Sequence, residues 1–200
     1  MPSRLVGGLV LPVKVAYHPA LELCNTRAWW GADEPKEYLL TSVHALVLAE
    51  DLGILLPPGD PPARRRARRQ EEGTALEDLL QLRDDLYATV TGVASERIVR
   101  RLDAFIRTGR GVAEFRGLQE GTPLWAADDT DPARALHAFA RAAGALAMSA
   151  HRVGACPRCG WVFLDRTGRR KWCSMQWCGN RAKAQRFAER AKHAPPHRTR

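Results

Sequence analysis

The chain reads as α+β: a mostly helical N-terminal domain with a few short strands, followed by a small treble-clef-like finger. Three observations predict this. Apolar residues recur at helical spacing through several long stretches of residues 1–152. Short β-branched or aromatic runs, bounded by Gly and Pro, stand between them. Four of the five cysteines crowd into residues 156–178. With 200 residues and 45% hydrophobic content, the chain can build one sizeable core and one small module.

The glycine-broken segment from Leu5 to Tyr17 predicts one strand or a tight pair of strands. His18-Pro19 starts a helix carrying Leu21, Leu23 and Cys24, and Cys24, the odd cysteine, reads as a small buried hydrophobe. Asn25, Thr26 and Arg27 follow, just before Trp29-Trp30-Gly31. They read in two ways: as the polar edge of a small-molecule pocket, or as side chains that satisfy a helix end while the tryptophans fill the core. Pro35 opens a helix predicted from Lys36 to about Leu52, with Leu39, Leu40, Val43, Leu46 and Val47 on one side and His44 as a packed or surface residue. Residues 57–72, rich in Pro and Gly and then in Arg from Arg64 to Arg69, predict a flexible loop; a nucleic-acid arm is the other reading of that charge run.

Leu76, Leu79, Leu80, Leu82, Leu86 and Tyr87 mark a helix from about Thr74 to Thr91, and Ser95-Glu96 starts another that runs through Arg107. Val112 to Phe115 and Pro123 to Ala127 are short enough for hairpin strands, with a turn across Gly117 to Gly121. Asp128, Asp129, Thr130 and Asp131 precede Pro132, so helix capping explains the carboxylates more simply than a metal. From Pro132 to His151 an Ala-rich helix carries Leu136, Phe139, Ala140, Ala143, Leu146 and Ala147 as one stripe. Only Val153-Gly154 then separates it from the cysteines, so the finger must sit close to the domain.

The cysteines are spaced as C-x2-C (Cys156, Cys159), thirteen residues, then C-x4-C (Cys173, Cys178). A two-residue gap followed by Gly160 folds into a knuckle that points two sulfurs at one place, and a second pair completes a tetrahedron. Thiolates suit the borderline-soft Zn²⁺, and four protein ligands leave no position open for a substrate, so the spacing predicts one structural zinc. Two disulfides are the alternative, but no clear secretory signal points to an oxidising compartment. Trp161 to Leu164 and Lys171-Trp172 flank Asp165-Arg166-Thr167-Gly168 and predict a hairpin between the pairs. After Cys178 the pattern is helical to about Lys192, with Ala184, Phe187, Ala188 and Ala191 as an apolar stripe and Lys183, Arg186 and Arg190 opposite. The finger therefore spans 153–193, with a basic tail over 194–200.

The run from Cys173 through Cys178-Gly179-Asn180-Arg181 to Lys183, preceded by C-x2-C and an aromatic-rich segment, resembles the CGNR zinc finger. In that family the finger follows an ABATE domain, and Leu23-Cys24-Asn25-Thr26-Arg27 is similar to that domain's Leu-x-Asn-Thr signature. Leu82 to Tyr87 resembles its helix with a Leu-Tyr pair. The resemblance implies a bacterial regulator of transcription that responds to stress.

Charge distribution points the same way by a separate route. Residues 151–200 carry 13 Lys+Arg against Asp165 and Glu189, whereas residues 1–150 carry 18 against 20 acids. Such asymmetry predicts a polyanionic partner for the finger, DNA before membrane, although cations beside a zinc tetrathiolate also neutralise its net negative charge. Asn180 and Arg181 have the geometry for base edges, and Lys183, Arg186 and Arg190 suit phosphates. No apolar stretch is long enough for a membrane helix, and no Gly-rich phosphate loop, nucleophile elbow or zinc-protease motif is present. The expectation is a cytoplasmic DNA-binding protein without catalytic function, with a small-molecule effector and a homodimer as further partners; a protein-interaction finger or a ligand-binding or enzymatic N-terminal domain is the alternative.

Overall fold

In the computed structural model, residues 1–56, 74–112, 114–119, 122–126 and 131–192 are described. The expected loop over 57–72, Asp128, Asp129 and Thr130, and the tail over 194–200 lie outside the described residues.

The first element is an antiparallel hairpin of β1 (Ser3–Val6) and β2 (Leu9–Pro12), in register Val6 to Leu9. Gly7 and Gly8 make its two-residue turn at φ 55° and 83°, the left-handed pair that matches strand twist. Helix α1 (Pro19–Cys24) has Pro at its start and is capped by His18, whose Nδ1 accepts the Ala20 N–H at 3.2 Å. Short as it is, α1 is the buried pin of the fold, because Ala20, Leu21, Leu23 and Cys24 are all excluded from solvent.

The helix predicted from Lys36 begins six residues later. Lys36 and Glu37 form β4, which pairs with β3 (Arg27–Ala28), and only Ser42–Asp51 is helical, as α2. Glu37 causes the delay: its Oε1 accepts the N–H groups of Tyr38 and Leu39 at 3.0 and 2.9 Å, so the chain turns where a helix would start. Leu40, assigned to the apolar stripe, is consequently exposed.

Helices α3 (Thr74–Val90), α4 (Glu96–Gly111) and α5 (Arg134–Ala147) follow, with α4 one turn longer than its predicted end at Arg107. Asp131 caps the region before α5 as expected, its Oδ1 accepting the Ala133 N–H at 2.8 Å. Helix α5 is central and packs on α1, α2, α3 and α4. Its closest partner is α4, where Gly109 and Gly144 remove side chains from the contact: a Cβ on Gly109 would lie 2.9 Å from the His137 carbonyl. Between these helices β5 (Glu114–Gln119) pairs with β6 (Thr122–Ala126). Gly117, expected in the turn, instead sits within β5 at a register shift, while Gln119 pairs with Thr122.

Val153-Gly154 is a strand and not a bare link. β7 (Arg152–Ala155) pairs antiparallel with β8 (Val162–Asp165), so the hairpin encloses the first cysteine pair. The predicted pairing of Trp161–Leu164 with Lys171-Trp172 does not form: β7 takes one edge of β8, and Val162 and Leu164 bond Asn25 and Ala16 on the other. Val162 and Leu164 enter the main core with α1 and α5, whereas Trp161 and Phe163 pack with the cysteines and with Val15, Ala28 and Tyr38. Alternation along one strand thus inserts the finger into both cores.

Candidate metal centre and its basic surroundings

Gly160, at φ 76°, closes the first knuckle, with the Cys156 carbonyl accepting its N–H at 2.9 Å. A Cβ there would stand 2.9 Å from Trp30 Cβ and 3.2 Å from Tyr87 Oη, so only glycine fits. The second pair is gathered differently. A π turn over Met175–Gly179 sends the Gly179 N–H to the Ser174 carbonyl at 3.0 Å, and residues five apart then fall on one side. That brings Cys173 Sγ to 3.5 Å from Cys178 Sγ and explains the x4 spacing.

Two further separations are 3.6 Å for Cys159–Cys173 and 3.7 Å for Cys178–Cys159, and all four sulfurs lie within 4.8 Å of one another. A tetrahedron with Zn–S bonds of about 2.3 Å has S···S edges near 3.8 Å, so the four residues fit one zinc ion. All four are buried. The sulfurs also need the ion. Hydrogen bonding with Cys156 raises the thiol pKa of Cys159 and of Cys173, and burial raises that of Cys178, while hydrogen bonds from Cys159 and Cys173 hold Cys156 below its ordinary value. A divalent cation opposes the upward shifts, because zinc binds the thiolate and releases its proton.

Asn25 and Thr26 are fully buried and bonded to protein. Asn25 donates Nδ2–H to the Val162 carbonyl at 3.0 Å and accepts the Val162 N–H on Oδ1 at 2.8 Å, closing a two-way bond between α1's end and β8. Thr26 Oγ1 donates to the Leu23 carbonyl at 2.6 Å, the helix-end role anticipated for it. Arg27 is partly exposed, 3.6 Å from Asp84, with its guanidinium 4.8 Å from the Trp30 ring centre. Around them the domain and finger are joined by Trp29 N–H to Cys159 O (2.9 Å), Trp161 Nε1–H to Arg27 O (3.1 Å), Tyr87 O–H to Gly160 O (3.0 Å) and Leu164 N–H to Ala16 O (3.0 Å). Trp30 stacks on Tyr87 at 3.7 Å beside this seam. Sequence spacing does not reveal these partners, because each bond spans more than seventy residues.

The finger's helix α6 (Asn180–Lys192) begins two residues after the last cysteine. Asn180, Arg181, Lys183, Arg186 and Arg190 are exposed on it. So are Ala184, Phe187 and Ala188, three of the four residues of the expected apolar stripe, which the described residues therefore leave uncovered there; Phe187 is 75% exposed. The helix is held by its zinc-bound start and not by a buried face. A cavity of about 310 Å³ beside the cysteines is lined by Trp29, Arg158, Trp177 and Arg181, which puts two cations next to the tetrathiolate. A second cavity of about 350 Å³ lies among α3, α4 and α5, lined by Asp78, Arg101, Phe105, Thr108, Leu136 and His137. A third, of about 860 Å³, lies between the end of the β2–α1 loop and finger residues 164–177.

Among the described residues no helix is long and apolar enough to cross a membrane. No curated protein matches the chain. Compared with models of known families, residues 152–191 match the CGNR zinc finger, and residues 17–150 match ABATE, described as "putative stress-induced transcription regulator". The chain thus belongs to the ABATE family and carries a CGNR zinc finger after its ABATE domain, with Cys156, Cys159, Cys173 and Cys178 able to hold one zinc ion.

Proposed function

We propose that this protein is a DNA-binding transcription regulator of the bacterial cytoplasm that uses α6 as its contact helix, with zinc as scaffold and no catalytic step. The observation that supports the reading is the state of α6: it buries no core face and displays Arg181, Lys183, Arg186, Arg190 and Lys192 against the single acid Glu189. Asn180 and Arg181, at the helix start, suit base edges; the later cations suit phosphates. Signal response would enter through the ABATE domain, because α5 leads into β7 and a shift of one moves the cysteine-bearing hairpin. The cavity among α3, α4 and α5 offers a small-molecule effector both apolar walls and an Arg-His-Asp rim.

The test uses the whole zinc-loaded chain, since Val162 and Leu164 belong to the N-terminal core. If five phosphates are neutralised, log K for duplex DNA should fall with log salt at a slope of about −4.5, and Arg186→Ala should lower that slope by about 1. Exposed Phe187 favours a second reading in which α6 docks on a protein or on a second copy of this chain as a homodimer. Absent or salt-insensitive duplex binding, together with a concentration-dependent mass in light scattering, would reject the first reading for the second.

A further inference from the structure

We propose that the cleft between the Val15–Tyr17 loop and finger residues 164–177 binds a nucleotide, with the base stacked on Tyr17 and the phosphate held by Arg166, Arg169 and Lys171. The lining contains no residue of α6, so the inference goes beyond the α6 reading and does not depend on it.

Tyr17 is the starting observation. It is 73% exposed and sits at φ 62°, a left-handed conformation that costs a non-glycine residue roughly 1–2 kcal/mol. Glycine would remove that cost, and packing does not offset it. The loop is nevertheless fixed on both sides. Glu22 Oε1 accepts the Ala16 N–H at 2.7 Å from the α1 side, and the Ala16 carbonyl accepts the Leu164 N–H at 3.0 Å from the finger. Arg170 then lies 5.1 Å from the Tyr17 ring centre, and its guanidinium donates to the carbonyls of Val15 (2.6 Å), Trp172 (3.2 Å) and Cys173. A rigid, mostly exposed aromatic ring backed by an immobilised guanidinium is a stacking platform.

The charge around the ring specifies what stacks there. The cleft's one carboxylate, Asp165, is turned onto its own loop, accepting the N–H groups of Thr167 and Arg170 at 3.2 and 3.3 Å. Lys14 is held by Asp51 at 3.1 Å, and Arg170 by the carbonyls above. Arg166, Arg169 and Lys171 are exposed and have no carboxylate partner among the described residues. Lys171 also lies 5.6 Å from the Trp172 ring centre. An aromatic platform flanked by three cations that pair with no carboxylate matches a planar base joined to a phosphate, and stacking of this kind tolerates any base. The volume of about 860 Å³ lies within the roughly 300–1,000 Å³ of small-ligand clefts. The nucleotide could be free, as an effector, or an unpaired residue of a nucleic-acid strand.

Titrating the zinc-loaded full chain with adenosine 5′-monophosphate, with a short oligodeoxyadenylate and with the matching duplex separates these sources, read by quenching of Trp172 and Trp177 in the cleft wall. Saturable binding of the mononucleotide supports an effector site; binding of the single strand but not the mononucleotide supports a strand site. In either case Tyr17→Gly should weaken binding about tenfold while keeping or raising thermal stability, since glycine accepts the backbone angle. Tyr17→Phe should bind like the parent, and Arg169→Ser should weaken phosphate-bearing ligands. Absence of binding by both the mononucleotide and the strand, or undiminished binding by Tyr17→Gly, overturns the proposal.

Discussion

Asn25 spends its amide on a peptide group 137 residues away, its Nδ2 supplying the donor and its Oδ1 the acceptor to one backbone unit. Asn25→Ala leaves the Val162 N–H and carbonyl buried without those partners and should cost about 2–4 kcal/mol, read as a lowered urea midpoint at fixed zinc. An unchanged midpoint would mean that the domain–finger seam is held elsewhere. Glu22 supplies a pH-dependent term at the same seam. Burial raises its pKa from 4.5 to about 7, against the opposing pull of the Ala16, Tyr17 and Val15 amides and of Arg4. Because the folded state keeps the proton that the unfolded state releases, stability falls as pH rises from about 4.5 to about 7, and the full cost of the buried charge is present above that. Glu22→Gln should therefore gain on the parent on the order of 3 kcal/mol between pH about 5 and about 8. Parallel pH profiles for the two proteins would show that Glu22 does not titrate in that window. At this scale the sequence exposes the zinc ligands, because their spacing is local. It does not expose the role of Asn25, whose two candidate readings both omitted a partner on a distant strand.

Elements were legible where a single face meets a core. Helices α3, α4 and α5 lie close to where their apolar periodicity places them. The errors share one cause, competition from a partner outside the local window. Glu37 bonds the backbone ahead of it and pairs with Arg27 in β3, so Lys36 and Glu37 leave the helix that their hydrophobic neighbours suggest. β7 on one side and Asn25 and Ala16 on the other take both edges of β8, leaving none for the Lys171-Trp172 segment expected there. On α6 the periodicity is present, but periodicity says only that a face could be buried and not that this chain supplies the cover. Gly109 and Gly144 show the reverse case: they lower helix propensity in α4 and α5, and the fold uses them to bring the two axes together.

For the molecule as a whole, the consequence of threading β8 through both cores is that metal and fold are coupled. Structural zinc contributes about 10–16 kcal/mol in finger peptides, comparable with the entire stability of a domain at about 5–15 kcal/mol. A chelator should remove about one zinc per chain, abolish the near-UV signal of the finger tryptophans and lower the melting temperature of the ABATE domain in the same transition. Two independent transitions, or a finger signal that persists without metal, would break the coupling argument. The sequence by itself determined the metal, its four ligands, the order of the two modules and the basic excess of residues 151–200, because each follows from composition or from spacing within a few turns of chain. Only the tertiary structure decided which strand closes the finger, what Asn25 holds, and that α6 stays uncovered. Those depend on contacts between segments far apart in sequence, where local pattern carries no information about which partner arrives first or fits best.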